Sequence, residues 1–201
     1  MPGFDLLTPQ AVMQAVSQGF GLRLSGSLTP YPSYINRVYG LEDEDEKEFI
    51  VKFYRPGRWS FEAVLEEHQF LLDCAGAELP VIPPLSDDDG ETLLEMSLVG
   101  EAGEEEDICF ALFPKRGGRN FDAEGEEEWL RLGRLLGRLH AVARERQALH
   151  RVTIDPRKTT ARQIEELVSM IHPDFREVKR TVYMETAIGG TSSTGRETDF
   201  F

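Results

Sequence analysis

Phe49-Ile-Val-Lys-Phe-Tyr54, closed by Arg55-Pro-Gly-Arg58, repeats with a period of two, the pattern of a strand with two distinct faces. Phe49, Val51 and Phe53 share one face, and Ile50, Lys52 and Tyr54 the other. A lysine therefore stands between an aliphatic and an aromatic side chain. Just upstream, Glu42-Asp-Glu-Asp-Glu-Lys-Glu48 separates two strand-like segments and reads as a solvated hairpin turn. It lacks the spaced ligands and the glycine of a calcium loop. Just downstream, Ser60 is a natural N-cap for a helix running to about Cys74, with Gly76 as its stop. Its apolar stripe is Phe61, Val64, Leu65, His68, Leu71 and Leu72.

Working outward, Thr8 caps a short amphipathic helix that starts at Pro9, runs to about Gln18 and stops at Gly19. Leu22 to Ser27 and Tyr34 to Leu41 read as strands. Between them, the two prolines of Leu28-Thr-Pro-Tyr-Pro-Ser33 speak against regular pairing. Leu79-Pro-Val-Ile-Pro-Pro84 is an extended connection to two further strands, Thr92 to Val99 and Ile108 to Phe113, with acidic turn residues Glu101 to Asp107 between them. The expected class is α+β, with a mostly antiparallel sheet.

Beyond Phe113 the composition changes. Pro114-Lys-Arg-Gly-Gly-Arg119 reads as a linker, and a long helix follows from about Gly125 to Arg146, with Trp129, Leu132, Leu136, Leu139 and Ala143 as its apolar stripe. Gln163 to Ile171 suggests one more helix. The expected organisation is a lobe over residues 1–115, a helical unit over 116–184 and a disordered tail over 185–201, where apolar side chains are too few to offset ordering entropy.

Composition narrows the function classes. The chain has 201 residues, with 22 Lys and Arg against 36 Asp and Glu, a net charge of -14. That balance argues against a nucleic-acid backbone or an anionic membrane surface as partner. The two cysteines, Cys74 and Cys109, form neither a disulfide framework nor a zinc ribbon. The start carries no secretory pattern, and no apolar run approaches the about 20 residues of a membrane span. A cytoplasmic location is expected.

A lysine facing inward from a strand, followed by a helix with a carboxylate, is how kinases hold the phosphates of ATP. Glu67 lies about 100° from the centre of the helix stripe and Glu66 about 160° away, so Glu67 is the better partner for Lys52. The competing reading is a snorkelling lysine and an ordinary surface glutamate.

Several blocks in order carry a family resemblance: Leu28-Thr-Pro-Tyr-Pro-Ser-Tyr-Ile-Asn-Arg-Val-Tyr39, Phe49-Ile-Val-Lys-Phe-Tyr-Arg-Pro56, Leu65-Glu-Glu-His-Gln-Phe-Leu71, Phe110-Ala-Leu-Phe-Pro114 with Gly117-Gly-Arg119, and Leu132-Gly-Arg-Leu-Leu-Gly-Arg-Leu-His140. Together they resemble the bacterial stress response kinase A family, Ser/Thr protein kinases with the aminoglycoside phosphotransferase and choline kinase fold, over residues 5–154. The resemblance implies a protein-kinase-like small lobe, with an antiparallel sheet and one regulatory-type helix, and an incomplete helical large lobe. It implies ATP as ligand, a protein substrate, and Mg2+ in full-length members. By position it places Ser33 and Asn36 on the loop over the ATP phosphates, Lys52 on the phosphates in an ion pair with Glu67, and Phe113 and Lys115 beside the hinge that meets adenine. Ile35 departs from the family's usual Glu.

The acceptor-side chemistry of this fold needs an Asp, an Asn some five residues later, and a second Asp on a following strand. The only asparagines are Asn36 and Asn120, and His172-Pro-Asp174 is followed five residues on by Lys179. No catalytic residues and no metal site are therefore expected in this chain, as for a truncated or frame-shifted kinase. The alternatives are a non-catalytic nucleotide-binding or regulatory module and a fragment of a small-molecule kinase. An apolar stripe on the long helix that lacks its cover predicts self-association.

Overall fold

The structure, a computed structural model, describes residues 4–100, 103, 105–118, 121–155 and 161–170. Helix α1 (Pro9–Phe20) opens with Thr8 Oγ1 accepting the N–H of Ala11 at 3.2 Å, and buries Val12, Ala15 and Val16. It ends at Gly21, whose φ of 62° is the left-handed C-cap conformation that glycine adopts without strain. Gly19 is inside the helix instead. A Cβ there would lie 2.6 Å from Leu94 Cδ1, so this glycine answers to close packing against the sheet.

The strands are β1 (Leu24–Tyr31), β2 (Arg37–Asp43), β3 (Glu48–Phe53), β4 (Leu94–Val99) and β5 (Glu105–Pro114). They form one antiparallel sheet in the order β1-β2-β3-β5-β4. Contrary to the expectation from its prolines, β1 pairs through Pro30, which lies opposite Tyr39. β1 is an edge strand, the place in a sheet where proline is tolerated. The acidic run makes the β2–β3 hairpin: Asp43 Oδ1 accepts the N–H groups of Asp45 and Lys47, each at 2.9 Å. β5 begins at Glu105, inside the segment expected to be a turn.

One sheet face carries Phe49, Val51, Phe53, Ile108, Phe110 and Leu112, and packs on α1 in the main core. Phe53 and Phe110 stack there with centroids 5.3 Å apart. The other face gathers Tyr54, Ala111 and Phe113 against Val64 of helix α2 (Phe61–Gly76). Ser60 caps α2, its Oγ accepting the N–H of Ala63 at 3.2 Å.

Helix α3 (Glu126–Ala143) packs on the end of α2 through Leu135, Leu139 and Val142, against Phe70, Cys74, Leu79 and Val81. Arg138 adds hydrogen bonds to the carbonyls of Ala77 and Glu78 at 2.7 and 3.0 Å. The buried stripe is thus rotated from the one expected. Of that set Leu139 packs inward, while Trp129 and Leu136 are 63% and 52% exposed. The chain divides into two compact units, Met1–Arg151 and Val152–Phe201, so α3 belongs with the sheet. Helix α4 (Ala161–Met170) lies in the second unit. The expectation for residues 185–201 falls outside the described residues. Among the described residues no helix is long and apolar enough to cross a membrane.

Candidate functional site

The β3 register sets Lys52 opposite Val38 on one side and Ala111 on the other, and Ile50 opposite Gly40 and Phe113. Directly opposed residues share a face, so these side chains lie on the face that α2 covers. Lys52 Nζ stands 3.2 Å from Glu67 Oε1 and 4.3 Å from the centroid of the Tyr54 ring. The ion pair arises because period two turns Lys52 away from the main core while α2 presents Glu67 to the same face.

Glu67 serves two cations. Its Oε2 accepts from Arg151 Nη1 at 3.2 Å, and the Arg151 guanidinium lies over the Trp59 ring at 4.4 Å. Glu66 holds the same segment by its backbone, accepting the N–H groups of Leu149 (2.6 Å), His150 (2.9 Å) and Arg151 (3.1 Å). Burial pushes the Glu66 carboxyl pKa up, but the three N–H donors together outweigh it and leave it lowered. Two consecutive carboxylates of α2 therefore fasten residues 149–151 to the helix.

Beneath the pair runs a buried chain of hydrogen bonds. Tyr54 Oη lies 2.9 Å from His68 Nε2, and His68 Nδ1 lies 2.9 Å from Thr92 Oγ1. Burial drives His68 down to about 4, with Glu67 opposing and Lys52 reinforcing the shift. The ring is therefore neutral at pH 7, with one donor and one acceptor nitrogen. Burial, then the Glu67 charge, raises the Tyr54 phenol well above its ordinary value.

The remaining expected residues are spread around this face. Asn36 Oδ1 accepts the Arg55 N–H at 3.2 Å, and Arg55 Nε donates to the Ile35 carbonyl at 2.9 Å, so the 33–36 loop is tied to the end of β3. Ser33 is half-buried on that loop. Phe113 meets the His68 ring edge-on, centroids 6.1 Å apart. Lys115 is already committed: its N–H donates to the Glu48 carbonyl at 3.0 Å, and its ammonium donates to the Glu48 carboxylate. The Tyr31 ring covers Gly40, where an added Cβ would fall 2.8 Å from Cε2.

Three residues of this cluster carry no local signal of their role. Glu66 points away from the apolar stripe, Arg151 lies outside any periodic element, and His68 falls on an apolar position of the stripe. His68 sits where an apolar residue would, and only tertiary pairing with Tyr54 and Thr92 marks it as polar. Among the described residues no group of three or more His, Cys, Asp or Glu could hold a metal ion, and both oxygens of Glu67 are taken by cations. The described residues do not fit the Mg2+ that the family implies.

A profile of the phosphotransferase enzyme family (APH) matches residues 27–185. Stress response kinase A of Escherichia coli strain K12 is 42% identical over 151 residues, covering 75% of this chain and 43% of that protein. The serine/threonine protein kinase RdoA of Salmonella typhimurium strain LT2 is 42% identical over 143 residues, covering 71% and 40%. The chain thus spans less than half the length of these curated relatives. Among solved structures, the amicoumacin kinase hAmiN in complex with AMP-PNP, Ca2+ and Ami superposes with a TM-score of 0.62 at 18% identity, over 94% of this chain and 55% of that one. A microcompartment-associated aminopropanol kinase gives 0.55 at 17% identity, over 73% and 45%. These two establish the fold, kinase-like and α+β, while the profile and the curated relatives establish the lineage: the chain belongs to the phosphotransferase enzyme family.

Proposed function

We propose that this chain is the ATP-holding portion of a Ser/Thr protein kinase of the stress response kinase A kind, working in the cytoplasm. The observation that carries the reading is the Lys52–Glu67 pair at 3.2 Å on the sheet face opposite the main core. An ammonium has three donors. Glu67 occupies one and orients the group, leaving others for the oxygens of a di- or triphosphate. Ser33 and the amide nitrogen of Asn36 add donors from the loop over the phosphates, and Ile50, Val38 and Phe113 offer apolar surface to the base. In the proposed division, residues 1–115 form the small lobe and 116–184 part of the helical lobe, the boundary falling inside the compact unit Met1–Arg151, where α3 packs on α2.

The acceptor side is a different matter. No Asn follows any Asp at catalytic-loop spacing in this sequence, so this chain by itself holds a nucleotide without transferring its phosphate. That same observation favours a second reading, a non-catalytic nucleotide-binding or regulatory module.

Backbone amide NMR with added ATP tests the proposal. Shifts concentrated at residues 33–36, 50–52 and 113–118 support it, and shifts confined to the α1 face of the sheet overturn it. Labelled ATP, magnesium and a protein acceptor should give background transfer only; turnover abolished by Lys52→Ala would place the missing chemistry within this chain.

A further inference from the structure

His68 follows Glu67 on α2, about 100° further round the helix, so no rotation or slide of α2 moves one without the other. The imidazole is 1% exposed and bonded at both nitrogens. One bond reaches Tyr54, two residues beyond Lys52, and the other reaches Thr92, just ahead of β4. The ring also rests edge-on against Phe113 of β5. Tyr54 in turn lies under the Lys52 ammonium. By contrast the ion pair is partly open to water, its side chains 26% and 30% exposed, and pairs so placed hold geometry weakly.

We propose that His68 is a positioning residue, which through its bonds to Tyr54 and Thr92 holds α2 at the one setting where Glu67 meets Lys52. The proposal rests on the reading of Lys52 and Glu67 as the phosphate-holding pair. Buried hydroxyls left without partners are costly, so any setting of α2 that breaks the Tyr54–His68–Thr92 chain is disfavoured. The directional bonds thereby specify a geometry that the shared apolar contacts of Val64 and Leu65 leave free to slide.

The test is NMR of the lysine side-chain signal of Lys52, assigned by its loss in Lys52→Arg, together with ATP titration of the full chain. Thr92→Val is nearly isosteric and touches neither Lys52 nor Glu67. His68→Leu fills the site without polar atoms, and His68→Gln keeps one donor and one acceptor. Thr92→Val and His68→Leu should move the Lys52 signal toward its position in Glu67→Gln and weaken ATP by about fivefold or more, the loss expected of one or two hydrogen bonds. His68→Gln should hold both near wild type. If folded Thr92→Val and His68→Leu leave the Lys52 signal in place, His68 is a structural residue and the proposal is overturned. Should His68→Leu fail to fold, Thr92→Val decides alone. A signal that moves as expected in a chain that binds no ATP upholds the positioning role and sinks the functional reading instead.

Discussion

Arg151 stands 3.2 Å from the Glu67 carboxylate oxygen that Lys52 leaves free, with its guanidinium carbon over the Trp59 ring, 4.4 Å from the centroid. The last residue of the first compact unit therefore shares a carboxylate with the strand lysine. Both side chains are about one-third exposed, so the direct contribution is modest, at most about 1 kcal/mol. Arg151→Lys keeps the charge but loses the guanidinium over the Trp59 ring. Urea denaturation should show Arg151→Lys and Arg151→Ala lowering stability by similar small amounts; full rescue by lysine would show that the charge alone, without the Trp59 contact, supplies the stabilisation.

Glu66 gives a pH-dependent tie. Its carboxyl is lowered in the folded chain by the three N–H groups of residues 149–151. The stabilisation is complete above the ordinary carboxylate pKa and is lost as pH falls through the folded value. Glu66→Gln should speed hydrogen exchange at Leu149, His150 and Arg151 at pH 7, leaving α1 protected. Unchanged exchange at these three amides would refute the tie.

His68 makes a second pH signature, of opposite chemistry. Its folded pKa is about 4 against 6.5, so the unfolded chain binds the proton more readily. Above pH 6.5 both states are neutral; as pH falls from 6.5 to about 4, stability declines by up to about 3 kcal/mol. Glu67 and Lys52 face the ring with opposite effects, so neutralising Glu67 should deepen the decline. His68→Gln lacks this titration, so the stability of wild type relative to His68→Gln should fall by that amount as pH drops through this window. Parallel curves would mean that the buried ring is not titrating.

The exposed face of α3 carries Trp129, Leu130 and Leu136. Bare apolar side chains of this size favour association. Sedimentation should find the wild-type chain self-associating, and Trp129→Gln with Leu136→Gln should shift it toward monomer. A wild-type chain that stays monomeric at high concentration rules out a sticky face.

What could be read in advance follows from periodicity. Lys52 and Glu67 each sit in a strongly periodic segment, one of period two and one of period 3.6, so the faces they occupy could be inferred from neighbours alone. Gly19 and Gly21 show the limit: both are plausible helix stops, and only the packing of Leu94 and Phe110 reveals which one is a cap. Pro30 reads locally as a break, because strand order, and hence its edge position, is not local information. On α3, apolar residues cover a wide arc, and it took Cys74, Leu79 and Val81 to select Leu135, Leu139 and Val142 as the buried side. Arg151 had no pattern at all, because its role is defined by two distant side chains, Glu67 and Trp59.

Lys52 and Glu67 are proposed together to hold the phosphates of a nucleotide. Calorimetric titration of ATP into the wild-type chain, Lys52→Ala and Glu67→Ala tests it most directly, with folding of each verified by circular dichroism. Wild-type binding should be measurable, Lys52→Ala should weaken it by about tenfold or more, the loss of a charge-assisted hydrogen bond, and Glu67→Ala should weaken it in the same direction. Wild-type binding that neither substitution changes would contradict it.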